Sequence, residues 1–300
     1  MKVLIQDYRD NNSSRFQYLP GMLSMIDGVE IYKWERKNLS KVYDTFDSIK
    51  PDLVIMHYQS LNQDIVKYLK SSTNIRIVFD VTDITETNIK ELEEIVSSNN
   101  INCPLVITER GPQSTVLKTL VVPPCADIVT PSPLAPTYEI ETLFVSETED
   151  YDKSLLTAYE SYHTCLVPTE TVIPLEQPDF VPNNGFDFLL NVSHLNPLYK
   201  NYKQVVIHGS LEYCTSQIFF EALIRANKVI LKYPESERDN FLTFLGKTFS
   251  ESDKDPTEEQ IKEQIKAKHT CVSRSLELLV ALGMQQEAQI LVNKVGAASA

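Results

Sequence analysis

Short apolar runs alternate with stretches of helical period through the first half of the chain. The runs fall at residues 3–6, 29–34, 52–57, 75–81, 105–108 and 119–122. Between them, residues 39–49, 62–71, 86–97 and 113–118 predict helices. The clearest is 86–97, where Ile89, Leu92, Ile95 and Val96 recur at helical spacing. Strands that are apolar throughout belong to a parallel sheet covered on both faces. Alternating such strands with helices predicts a doubly wound α/β unit.

The rhythm breaks at "PPCADIVTPSPLAP", which holds five of the sixteen prolines. Proline at this density excludes helix and central strand, so a linker is expected here. A second series follows. It has a strand at 142–146, a tyrosine-rich helix at 153–163, strands at 164–167 and 171–174, and a turn-rich loop, "PDFVPNNGFDF", leading into a helix. A strand at 204–208, a helix from about Ser216 and a strand at 228–231 come next. Helices at 236–246, at 257–268 and on to about residue 290 complete the chain. The expected organisation is α/β: two doubly wound Rossmann-like domains facing a cleft. Residues 1–122 form the acceptor half, 123–138 the linker, and 139–300 the second domain with the terminal helices.

With 300 residues, two domains are the default. A formal net charge of −13 argues against an extensive surface for nucleic acid or anionic membrane. Five widely spaced cysteines with no C-x-x-C pattern fit a reducing compartment, not a disulfide framework or a zinc site. The start, "MKVLIQDYRD", reads as a strand, and no apolar stretch is long enough to span a membrane. The expected location is cytoplasmic, or the host cytoplasm if the protein is viral. The Asn/Ser/Lys-rich, glycine-poor character suits a bacteriophage or a low-GC bacterium.

Several motifs fail on inspection. Gly246-Lys247-Thr248 has the tail of a phosphate-binding loop but lacks its first glycine and its preceding strand. No G-x-G-x-x-G, H-E-x-x-H or G-x-S-x-G occurs, and the histidines do not pair at metal-ligand spacing, so no metal site is expected.

The informative residues are those just after strands, where α/β folds bind ligands. In the second half these are Gly209 and Ser210, then Thr215, Ser216 and Gln217 opening a helix. Such a helix start suits a diphosphate, or is simply an ordinary capped helix. Glu221 shares a helix face with Gln217 and Arg225. That face is either a solvent stripe carrying an ion pair, or it turns toward the cleft and offers a carboxylate to ribose hydroxyls. In the first half His57, Tyr58, Asp80, Asp83, Glu109 and Arg110 follow strands. Arg110 is a candidate phosphate partner, and Asp83 and His57 are candidates to bind or deprotonate a hydroxyl acceptor.

The stretch "GSLEYCTSQIFFEALIRANKVIL" resembles the donor-site segment of B-type glycosyltransferases, the two-Rossmann-domain enzymes that use nucleotide sugars. Three weaker similarities accompany it: "FDSIKPDLVIMHY", "FVPNNGFD" and "KHTCVSRSLELLVALG". The resemblance implies a GT-B-like fold. It implies a nucleotide-sugar donor (UDP- or similar) with no obligatory cofactor or metal. It places Glu221 on the ribose and Thr215–Gln217 beside the diphosphate. The chain departs from the family at Glu212, one residue out of the usual spacing. It also lacks a Gly-Arg after strand 142–146, for which Lys153, Lys200 or Arg110 would have to substitute, and the N-terminal glycine-rich loop. The expected function is transfer of a sugar to a hydroxyl acceptor, either hydroxymethylcytosine in phage DNA or a surface glycan or small molecule. The alternatives are a non-catalytic binding or assembly protein of the same fold, and an epimerase.

Overall fold

The computed structural model describes residues 1–6, 14–34, 42–72, 74–82, 85–109, 113–126, 140–148, 151–167, 187–189, 195, 198–249 and 256–298. Two compact units divide the chain. One is Met1–Pro123 with Cys271–Ala300, and the other is Pro124–Thr270. Each carries one parallel sheet interleaved with helices, so both units are Rossmann-like.

In the first unit the strands are β1 (Lys2–Gln6), β2 (Glu30–Trp34), β3 (Leu53–His57), β4 (Arg76–Asp80), β5 (Leu105–Thr108) and β6 (Thr119–Val121). Their order is β2-β1-β3-β4-β5-β6, all parallel. Every residue of β3 and β5 is buried, as their continuous apolar sequence demands. Helices α1 (Ser14–Ser24), α2 (Val42–Ile49), α3 (Gln63–Ser71) and α4 (Glu86–Ser98) connect the strands. Thr85 and Asn88 close a reciprocal capping box that starts α4. One face of the sheet packs Leu4, Val54, Met56 and Phe79 against Phe46, Leu69 and Leu92 of α2 to α4.

The expected helix at 113–118 is absent. The Ser114 hydroxyl donates to Glu93 and accepts the N–H groups of Val116 and Leu117, a local turn that competes with a helix. Helix α1 was not legible in the sequence, because Pro20 and Gly21 interrupt its pattern.

The second unit holds β7 (Thr142–Ser146), β8 (Tyr162–Leu166), β9 (Phe188–Leu189), β10 (Gln204–His208) and β11 (Val229–Lys232) in the order β11-β10-β7-β8-β9. All four pairings are parallel. Residues 153–163 do not form the expected helix. A 3-10 turn spans Lys153–Ala158, and Tyr162 already pairs with Thr142 in the sheet. A strand partner outweighs local helical period here. The strand expected at 171–174 lies outside the described residues.

Beyond β10 come α5 (Leu211–Cys214), α6 (Gln217–Arg225), α7 (Arg238–Phe249) and α8 (Glu258–Lys268). Gly246-Lys247-Thr248 sits inside α7, so it forms no loop. The last helix of the sequence reading is two in the structure, α9 (Cys271–Ala281) and α10 (Gln285–Ala298). Gly283, at φ 74°, makes the break.

These two helices belong to the first unit. The first sheet is buried on both faces, and α9 packs with α1. The Cys271 thiol lies 3.8 Å from Met22 Sδ, and the Arg274 guanidinium donates to the Pro123 carbonyl. An α/β sheet with both faces apolar must be covered on both.

Candidate functional site

The strand order of the second unit locates a site within it. Read from β9, the sheet runs third, second, first, fourth, fifth strand of the unit. The order reverses between β7 and β10, and ligands of open α/β sheets bind outside the carboxyl ends at such a reversal. An open pocket of about 430 Å³ lies there. Its walls come from three strand ends: Glu147 and Thr148 after β7, His208 to Ser210 at β10, and Lys232 to Pro234 at β11, with Leu155 beside them.

Glu147 Oε2 accepts the Ser210 N–H at 2.8 Å. Gly209 is packed so closely that an added Cβ would meet Glu147 Oε2 and Tyr213 Cδ1 at 2.7 Å each. Only glycine lets the two loops approach in this way. The His208 ring stacks on Phe144 with centroids 5.7 Å apart, and its Nδ1 lies 3.4 Å from the Ser146 hydroxyl. Burial pushes the His208 pKa down, against the opposing pull of the Glu147 carboxylate. His208 is therefore neutral at pH 7, and the exposed Lys232 supplies a positive charge to the pocket.

Of the residues singled out in sequence, Gly209 and Ser210 line this pocket. Thr215, Ser216, Gln217 and Glu221 do not. Thr215 closes α5, its hydroxyl donating to the Leu211 carbonyl at 2.9 Å. Ser216 stands at the N-cap of α6, but its side chain makes no capping hydrogen bond. Glu212 is exposed on α5, and Lys153 and Lys200 are exposed as well.

Glu221 is buried, on no solvent stripe, and it does not line the pocket described above. Helix α6 is packed on two sides. Ile218 and Ala222 join the sheet core with Tyr199, Tyr202 and Tyr213, while Phe219, Phe220 and Leu223 meet Leu245, Phe249, Ile261 and Ile265 of α7 and α8. The remaining face is closed too. Glu221 accepts from Arg225 Nε at 3.2 Å and from Gln217 Nε2 at 3.4 Å, and all three side chains are largely withdrawn from water. Tyr199 Oη, Tyr213 Oη and Gln217 Oε1 are buried nearby with no hydrogen-bond partner among the described residues. Burial raises the Tyr199 phenol well above its ordinary range, and the Glu221 carboxylate adds to the shift.

In the first unit, His57 is buried at the end of β3. Its N–H donates to Gln6 Oε1 at 2.9 Å, at the strand-order reversal between β1 and β3. Its Nδ1 accepts the Gln59 N–H, and its Nε2 lies 3.1 Å from the Thr82 carbonyl, so Nε2 carries the hydrogen. Both ring nitrogens serve the loops here. The Asp80 carboxylate accepts the Thr82 N–H at 2.9 Å, and the Glu109 N–H donates to Thr82 Oγ1. The Tyr58 hydroxyl donates to Glu91 at 3.1 Å. Asp83 and Arg110 lie outside the described residues.

Glu147, His208, Lys232 and Tyr233 were not singled out in the sequence. The same post-strand rule that selected Gly209 applies to all four. What was missing was the strand order, which alone brings β7, β10 and β11 side by side. Among the described residues, no three His, Cys, Asp or Glu side chains cluster as metal ligands, and no helix is long and apolar enough to cross a membrane. None of the five cysteines is in a disulfide.

No protein-family model and no curated protein sequence matches the chain. Several solved structures are similar over nearly its whole length. The glycosyltransferase SnogD from Streptomyces nogalater shares 14% identity, with 99% of each chain covered and a TM-score of 0.44. An alpha-glucosyltransferase in complex with UDP and a 13-mer DNA shares 13%, covering 98% of this chain and 95% of that one, at a TM-score of 0.49. A UDP-N-acetylglucosamine 2-epimerase shares 10%, covering 94% and 97%, at 0.42. Identities this low transfer no side chain from one site to another.

Proposed function

We propose that the chain is a glycosyltransferase that moves a sugar from a nucleotide-sugar donor, UDP-linked or similar, to a hydroxyl acceptor. The observation that carries the reading is the pocket at the strand-order reversal of the second unit, where open α/β sheets hold nucleotides. Its size fits a small-molecule site. The donor-segment resemblance of 209–231 points to the same strand and the loop after it. In this reading Gly209 gives the donor close backbone approach, and Lys232 offsets charge developing on the departing diphosphate. Glu221 and Arg225 hold α6 in place behind the pocket. An acceptor-side role for Asp83 and a phosphate-side role for Arg110 rest on their post-strand positions in the sequence. A net charge of −13 favours a glycan or small-molecule acceptor over duplex DNA.

The test is a thermal-shift series with UDP-, dTDP- and GDP-sugars. A ligand at 100 times its Kd stabilises the folded state by about 2.7 kcal/mol, a clear rise in Tm. The exposed Lys232→Ala variant should fold normally and lose most of that rise. If no nucleotide sugar raises Tm, the proposal is refuted.

One observation favours a second reading, a non-catalytic binding module. Glu221 is wholly buried against Arg225, so the acid that the family resemblance assigns to the ribose is spent on an internal ion pair. Nucleotide-sugar binding without release of free nucleotide, across a panel of hydroxyl acceptors, would select this reading.

A further inference from the structure

The donor pocket contains an anion of its own. Glu147 Oε2 holds the Ser210 N–H at 2.8 Å, in the gap that Gly209 leaves between two strand-end loops. Among the described pocket residues Lys232 is the only lysine or arginine, and burial lowers the His208 pKa and so favours its neutral form. A phosphate entering beside Gly209 and Ser210 meets a carboxylate already using the loop donor. Like charges at such separations repel, and the repulsion scales with the charge on the incoming group.

We propose that Glu147 is the specificity-determining residue of this pocket, and that it discriminates between a nucleotide sugar and the free nucleotide diphosphate. The inference rests on the donor-site reading above. In a nucleotide sugar each phosphate is esterified on both sides and carries one negative charge. After the sugar leaves, the terminal phosphate of the diphosphate carries between about −1.5 and −2. The Glu147 carboxylate therefore opposes the product more than the donor. The acceptor hydroxyl oxygen forms the new bond to the sugar and gives up its proton, while the bond from the sugar to the terminal phosphate oxygen breaks and leaves its electron pair, and so the added charge, on that phosphate. Glu147 thus favours release of the spent nucleotide and limits product inhibition.

The experiment measures Kd for UDP-glucose and for UDP by calorimetry, on the wild-type chain and on Glu147→Gln. Glutamine keeps the length of the side chain and an oxygen for the Ser210 N–H, and an unchanged Tm confirms that the variant is folded. The expected result is that UDP tightens in the variant by about tenfold relative to UDP-glucose, the scale of one partly screened like-charge contact. Equal changes for both ligands, or none, would overturn the role of Glu147 while leaving the donor-site reading intact. Failure of UDP-, dTDP- and GDP-sugars and of their free diphosphates to bind either protein would overturn the donor-site reading itself, and this inference with it. A Glu147→Asp variant supplies the second check. It keeps the charge, so it should retain the wild-type preference for UDP-glucose over UDP.

Discussion

Arg225 Nε donates to Glu221 Oε2 across 3.2 Å, one helical turn apart, and their side chains are 7% and 0% exposed. A pair at this spacing on a solvated helix contributes only a few tenths of a kcal/mol. Enclosed between a sheet and two helices, it behaves differently: removing one side chain takes this contact from the other's buried charge.

Glu221→Ala should therefore destabilise the protein by about 3–5 kcal/mol. The double variant Glu221→Leu with Arg225→Met removes both charges and should recover much of that loss. Urea unfolding of the three proteins measures the difference. A loss under 1 kcal/mol in Glu221→Ala would mean that the pair is solvated.

Among the described residues, the buried hydroxyls of Tyr199 and Tyr213 have no hydrogen-bond partner. A buried polar group without a partner costs about 1–3 kcal/mol by mutational measure. Tyr199→Phe and Tyr213→Phe should each leave stability unchanged or raise it. Thermal unfolding decides, and a fall in Tm would show that the hydroxyls have partners in solution.

Gly209→Ala places a methyl group 2.7 Å from the buried Tyr213 ring and from Glu147 Oε2. The carboxylate can swing away, but the fully buried ring cannot. The cost should be about 1–3 kcal/mol from overpacking, together with loss of nucleotide-sugar binding. Stability and Tm shift measured on the same variant check both parts.

The His208 imidazole sets a pH dependence. Its folded pKa lies below the 6.5 of an exposed imidazole, chiefly through burial. The unfolded chain therefore takes up the proton first as pH falls. Its contribution to stability is complete above pH 6.5 and declines as pH drops through that value. Wild type and His208→Asn, unfolded in urea between pH 8 and pH 5, should show a stability difference that shrinks below about pH 6.5. A difference independent of pH would exclude the titration of His208.

Much of the architecture is determined by the sequence alone. Continuous apolar runs such as 53–57 and 105–108 can be satisfied only by strands buried on both faces, and the capping pairs Thr85–Asn88 and Thr257–Gln260 mark helix starts on local chemistry. Local pattern also selected Gly209, because it follows a strand. Only the tertiary structure decided the rest. Tyr162 pairs with Thr142 although its neighbourhood has helical period, since a sheet partner is invisible in a local window. Helices α9 and α10 join the first unit, with α9 packed on α1, although the proline-rich stretch and the whole second unit separate them from it in the chain. The pocket of Glu147, His208, Gly209 and Lys232 exists only because β7, β10 and β11 lie side by side. Glu221 shows the same division in one residue. Helical spacing determined that it meets Arg225, but burial between the sheet and two helices made that contact an internal ion pair.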